Sequence, residues 1–86
     1  MGKVSVLFRI MPSGVDADLV ALEAGVREAL GDVLRGIAVK PIAFGLKALM
    51  ASILIDDASG GAEAYEEKLA AVPNVESVET LDVTLV

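Results

Sequence analysis

The residues able to do chemistry are few, and the densest group lies in residues 40–57, K-P-I-A-F-G-L-K-A-L-M-A-S-I-L-I-D-D. The stretch ends in two adjacent carboxylates, Asp56 and Asp57, and opens on Phe44 set between Pro41 and Gly45, with Lys47 just behind. A dedicated divalent-cation site needs more oxygen ligands than two neighbouring carboxylates supply. The Asp56-Asp57 pair is therefore read as solubilising a strand end, and no metal is expected. Ser59-Gly60-Gly61 ahead of a helix could present N–H groups to an anion, but a flexible loop followed by a helix start explains it equally, and that reading is taken. Histidine and cysteine are both absent. Their absence removes the commonest general base, the commonest metal ligand and all thiolate chemistry. No nucleophile–base pair is visible, and neither G-x-x-x-x-G-K-[ST] nor G-x-G-x-x-G occurs. The chain is expected to be no enzyme acting on a small molecule, and to carry no cofactor.

What remains is recognition. Thirteen acidic residues against seven basic ones give a formal charge of −6. That balance disfavours a surface that tracks nucleic-acid phosphates, and it suits either plain solubility or docking onto a basic protein. A base-stacking RNA surface would need aromatics on the central strands, yet Phe8, Phe44 and Tyr65 are the only aromatic residues. No run approaches the roughly 18–20 apolar residues that span a bilayer, and the N-terminus lacks a cleavable signal pattern. A cytoplasmic location is the expectation.

The elements that position this stretch can be read in order. Val4, Val6, Phe8 and Ile10 alternate with Ser5, Leu7, Arg9 and Met11, the period of a first strand that ends at Met11-Pro12-Ser13-Gly14. Asp16 or Asp18 can cap a helix whose inner face is Leu19, Leu22, Val26, Ala29 and Leu30, stopped by Gly31. Gly25 within it is read as allowing close packing of helix on sheet. A second strand over 33–39, containing Gly36 and reaching Pro41, suits a sheet edge. The apolar run 48–55 is the third strand, buried on one face and partly covered on the other. A second helix over 61–72 turns Ala62, Tyr65, Leu69 and Val72 inward and leaves Glu66, Glu67 and Lys68 in solvent. Pro73-Asn74 ends it, and a fourth strand over 75–86 carries its apolar phase at Leu81, Val83 and Leu85.

The order β-α-β-β-α-β specifies one α+β domain over residues 1–86 on the ferredoxin-like plan, a four-stranded antiparallel sheet with both helices on one face and strands one and three central. If Val4, Val6, Phe8 and Ile10 face the helices, Ser5, Leu7, Arg9 and Met11 line the open face. Strand three adds either Leu49, Ile53 and Ile55 or Met50 and Leu54 there, so that face is partly apolar in either register and is a candidate interaction surface.

With these elements in place the chain resembles the archaeal elongation factor 1-beta family, and the catalytic C-terminal domain of its eukaryotic counterpart. The resemblance covers the whole chain. Its most specific part is Pro41-Ile42-Ala43-Phe44-Gly45-Leu46-Lys47-Ala48-Leu49 and the strand ending at Asp56-Asp57, joined by the Gly-Lys-Val start and Val75-Glu76-Ser77-Val78. It implies a guanine-nucleotide exchange factor for elongation factor 1-alpha, the GTPase that carries aminoacyl-tRNA to the ribosome, with no direct nucleic-acid or membrane contact. Pro41, Phe44, Gly45 and Lys47 are the expected GTPase contact: Phe44, a scarce aromatic between a proline and a glycine, is hard to bury and is expected to be at least partly exposed, and Lys47 opens an apolar strand with a solvent-facing charge. One departure is plain. The eukaryotic domain ends with a lysine implicated in disturbing the Mg²⁺ site, whereas this chain has no basic residue after Lys68. Two other readings share the plan, an ACT-like domain that senses a small molecule and a simple dimerisation module. GDP release, ligand-induced thermal shift and concentration-dependent mass separate the three.

Overall fold

A computed structural model describes residues 2–14, 18–56 and 61–85 of the chain. The elements are β1 (Lys3–Pro12), α1 (Leu19–Leu30), β2 (Leu34–Pro41), β3 (Lys47–Asp56), α2 (Ala62–Ala70) and β4 (Val75–Leu85). The strands form one antiparallel sheet in the order β2-β3-β1-β4. The ferredoxin-like expectation holds, with β1 and β3 central. Among the described residues no helix is long and apolar enough to cross a membrane.

Register explains the core. Residues directly opposite in an antiparallel pair share a sheet face, and β1 sets Val6 against Ile53, Phe8 against Ala51 and Ile10 against Leu49. All six are buried, and α1 closes over them with Leu22, Val26 and Leu30. Those three helical positions are four apart, so they form a single stripe. Each large apolar side chain removed from water in this way contributes about 1.5–3 kcal/mol. Leu69 of α2 and Val72 just beyond it complete the cluster. Asp18 is the helix cap: its Oδ1 accepts from the N–H groups of Val20 and Ala21 at 3.0 and 3.2 Å. The alternative cap, Asp16, lies outside the described residues.

Four details depart from the sequence reading. Val33 belongs to a short 3₁₀ turn, Gly31–Val33, so β2 begins one residue later, at Leu34. Gly25 makes room for the turn after α2 instead of the sheet: a Cβ built there would stand 2.6 Å from Cγ1 of Val72. Glu66 is half-buried and accepts a hydrogen bond from the Thr80 hydroxyl, because Thr80 lies opposite Phe8 on the helix-covered face. Finally, the β1–β4 register shifts between Leu7 and Phe8, which pair with Asp82 and Thr80. Leu81 is the extra residue of that bulge, so it does not share a ladder phase with Val83 and Leu85. The register also decides the open face. It carries Met50 and Leu54, with Leu7 opposite Ser52, and Nη2 of Arg9 reaches Oε2 of Glu79 at 2.8 Å.

Candidate functional site: the β2–β3 hairpin tip

Pro41 and Lys47 are the last register pair of the β2–β3 ladder. Pro41 can end an edge strand because it has no N–H to leave unpaired. Beyond it, the N–H of Leu46 donates to the Ala43 carbonyl at 2.9 Å and the N–H of Ile42 to the Leu46 carbonyl at 2.8 Å. Residues 43–46 therefore close a tight turn whose two central residues are Phe44 and Gly45. Both have positive φ, 55° and 81°, the mark of a type I′ hairpin turn. Glycine adopts that conformation without strain. An L-residue with a full side chain does not, and holding it there costs roughly 1–2 kcal/mol.

Phe44 gains nothing from the fold in return. It is 98% exposed. Val39 and Ile42 beside it also leave apolar surface in solvent, and the Lys47 side chain is exposed. A bulky residue held in the left-handed region at the outermost point of a hairpin is over-determined by the turn around it. Such placements gather at sites of recognition. Thus Pro41, Phe44, Gly45 and Lys47, picked out in sequence, lie together at one end of the sheet.

Two clefts flank the tip. The larger, of 580 Å³, is bounded by Phe44 and Leu46 on one side and by Met11, Pro12, Glu76 and Ser77 on the other. The smaller, of 120 Å³, runs between Gly45 and Lys47 of the hairpin and Pro12, Gly14 and Leu19. Ser13 ties this end together by donating its N–H to the Asn74 carbonyl at 2.9 Å. Met11 belongs to the open face expected as an interaction surface, but Pro12, Glu76 and Ser77 carry no signal in the sequence as neighbours of the hairpin tip. They border the same cleft as Phe44 because Pro12 pairs with Val75 at the start of β4, a register that no local pattern encodes.

An exposed ring beside a mainly apolar cleft suits binding. Among the described residues no group of three or more His, Cys, Asp or Glu could hold a metal ion. Asp56 lies 3.0 Å from Nζ of Lys3, at the other end of β3 from the hairpin. Asp57, Ser59 and Gly60 lie outside the described residues.

Residues 5–86 match the family described as the EF-1 guanine nucleotide exchange domain. The chain is 46% identical over 86 residues to elongation factor 1-beta of Methanococcoides burtonii, covering 95% of this chain and 94% of that protein. It is 44% identical over 85 residues to elongation factor 1-beta of Methanoregula boonei, covering 99% of each. Among solved structures, the C-terminal domain of the MgtC protein from Mycobacterium tuberculosis superimposes with a TM-score of 0.57 at 18% identity, over 100% of this chain and 88% of that one. That likeness is one of fold alone. A match along nearly the whole chain, to the family and to its archaeal members alike, means that this protein belongs to the elongation factor 1-beta family of translation factors, built on the EF-1 guanine nucleotide exchange domain.

Proposed function

We propose that this chain binds elongation factor 1-alpha through the β2–β3 hairpin tip and accelerates its release of GDP, so that GTP can enter and aminoacyl-tRNA can again be carried to the ribosome. The observation that carries the placement is Phe44, 98% exposed and at φ 55°. An aromatic anchor offered on a stiff turn loses little freedom on docking, which is what a binding hot spot requires. The physical basis of exchange is linkage: a protein that binds the nucleotide-free GTPase more tightly than the GDP form weakens GDP binding by the same factor. In P-loop GTPases the nucleotide is held by the phosphate loop and a coordinated Mg²⁺. Moving those segments releases it, and no bond in the nucleotide need break. A chain without histidine or cysteine is sufficient for that task.

Pro41, Gly45 and Lys47 support the anchor in distinct ways. Pro41 ends the edge strand, Gly45 permits the reversal, and Lys47 supplies a charge at the foot of the hairpin. Residues 82–86, Asp82-Val83-Thr84-Leu85-Val86, contain no basic side chain, and the hairpin tip is taken as the working part. The test is the release of fluorescent GDP from elongation factor 1-alpha with increasing amounts of this protein. The release rate is expected to rise and saturate. A rate that stays at its spontaneous value at every concentration contradicts the proposal.

A further inference from the structure

Phe44 stands between two charges of opposite sign that have no ion-pair partner among the described residues. Glu76 borders the larger cleft, on the β4 side of the ring. Lys47 borders the smaller one, on the α1 side of Gly45. Both side chains belong to exposed residues, and neither takes part in an ion pair among the described residues, where the ion pairs are Lys3–Asp56, Arg9–Glu79 and Arg27–Glu23. The larger cleft is lined mainly by apolar surface, from Met11, Pro12 and Leu46, with Ser13 and Ser77 beside them, whereas the smaller, between Pro12, Leu19 and Gly14, is the more polar of the two. The tip thus has an aromatic centre, an apolar wall on its β4 side, and one charge on each flank.

We infer that the GTPase surface receiving the hairpin is an apolar socket with a basic side chain on its β4 side, facing Glu76, and an acidic side chain on its α1 side, facing Lys47. The inference rests on the hairpin-docking reading above and adds orientation to it. A single exposed ring fixes position but not rotation, because it can turn about the axis along which it inserts. Two opposite charges on either side of that axis remove the ambiguity. Turned by half a revolution, the complex would bring Glu76 onto an acid and Lys47 onto a base, and like charges brought together suppress a wrong pairing. Charges at the rim of an interface act mainly on the association rate and on its salt dependence, and they are screened over about 10 Å at 0.1 M salt.

The test compares charge reversals by kcat/KM for GDP release from elongation factor 1-alpha at low and high salt. Glu76→Lys and Lys47→Glu are each expected to lower kcat/KM about tenfold at low salt, within the range that steering covers, and the loss should shrink as salt rises. Glu67→Lys changes net charge as Glu76→Lys does, but it lies on the exposed side of α2 away from both clefts. It should lose clearly less than Glu76→Lys at low salt, since a charge outside both clefts changes only the overall field of the protein. Glu76→Gln, which removes the charge at nearly constant shape, should show a smaller loss of the same kind. Phe44→Ala, run beside them, separates the two claims. If Phe44→Ala leaves exchange unchanged, hairpin docking itself is wrong. If Phe44→Ala slows exchange but Glu76→Lys costs no more than Glu67→Lys, or its loss persists undiminished at high salt, hairpin docking survives and the oriented charge pair is overturned.

Discussion

Phe44 combines two unfavourable features that folding alone does not compensate: a left-handed backbone and a ring almost wholly in water. The two make opposite demands on any replacement. Asparagine is at home in the first central position of a type I′ turn, and Asn-Gly is the strongest short hairpin signal. Phe44→Asn should therefore stabilise the fold by about 1 kcal/mol, by removing strain of that order. In thermal unfolding that is a rise in Tm of roughly 4–8 °C for a domain of this size. A fall of several kcal/mol, the cost of truncating a buried Phe, would instead place the ring in the core. The sequence made Phe44 visible, because a scarce aromatic between Pro41 and Gly45 is hard to bury. Its positive φ was not legible. Phenylalanine is a poor residue for that conformation, and only the closure of Leu46 onto Ala43 imposes it.

Elements were readable where a hydrophobic period belongs to one segment and hidden where two segments meet. The alternation of β1 and the stripe Leu22, Val26 and Leu30 placed the core as observed. The bulge at Leu81 was hidden because it lies in the register between β1 and β4, and a continuous alternation in β4 carries no trace of it. Gly25 is a similar case. Its place in a helix was evident, but its neighbour is Val72, in the turn that follows α2, and not the sheet. Two effects compete in Gly25→Ala. Helix propensity favours alanine by about 1 kcal/mol. Against this, the new Cβ would sit 2.6 Å from Cγ1 of a buried β-branched side chain, and overpacking of that sort costs about 1–3 kcal/mol. The contact should win. A net loss of about 1 kcal/mol is expected in urea unfolding, between the propensity gain and the upper overpacking cost. A net gain would mean that Val72 moves aside freely.

At the scale of the whole molecule, the long dimension of 42 Å separates two ends with different character. The register sets Pro12 against Val75 and Val4 against Leu85, which places the end of β4 about 27 Å from the hairpin end, at roughly 3.4 Å per residue. Leu85 is 71% exposed and Val83 is 57% exposed there, while Val86 lies outside the described residues. Deleting Leu85 and Val86 should lower stability by no more than about 1 kcal/mol, since exposed strand ends contribute little. It should leave GDP release near the parental rate once unfolding curves show a folded protein. Complete loss of release in that folded variant would move the working part to the β4 end. The central claim is most directly tested by the GDP-release rate from elongation factor 1-alpha with Phe44→Asn, measured on the same preparation whose Tm has been determined. Phe44→Asn is expected to be at least as stable as its parent and to release GDP at least tenfold more slowly at limiting concentration, about the effect of losing one anchor worth 1.4 kcal/mol or more. A stable Phe44→Asn protein with undiminished exchange would contradict that claim.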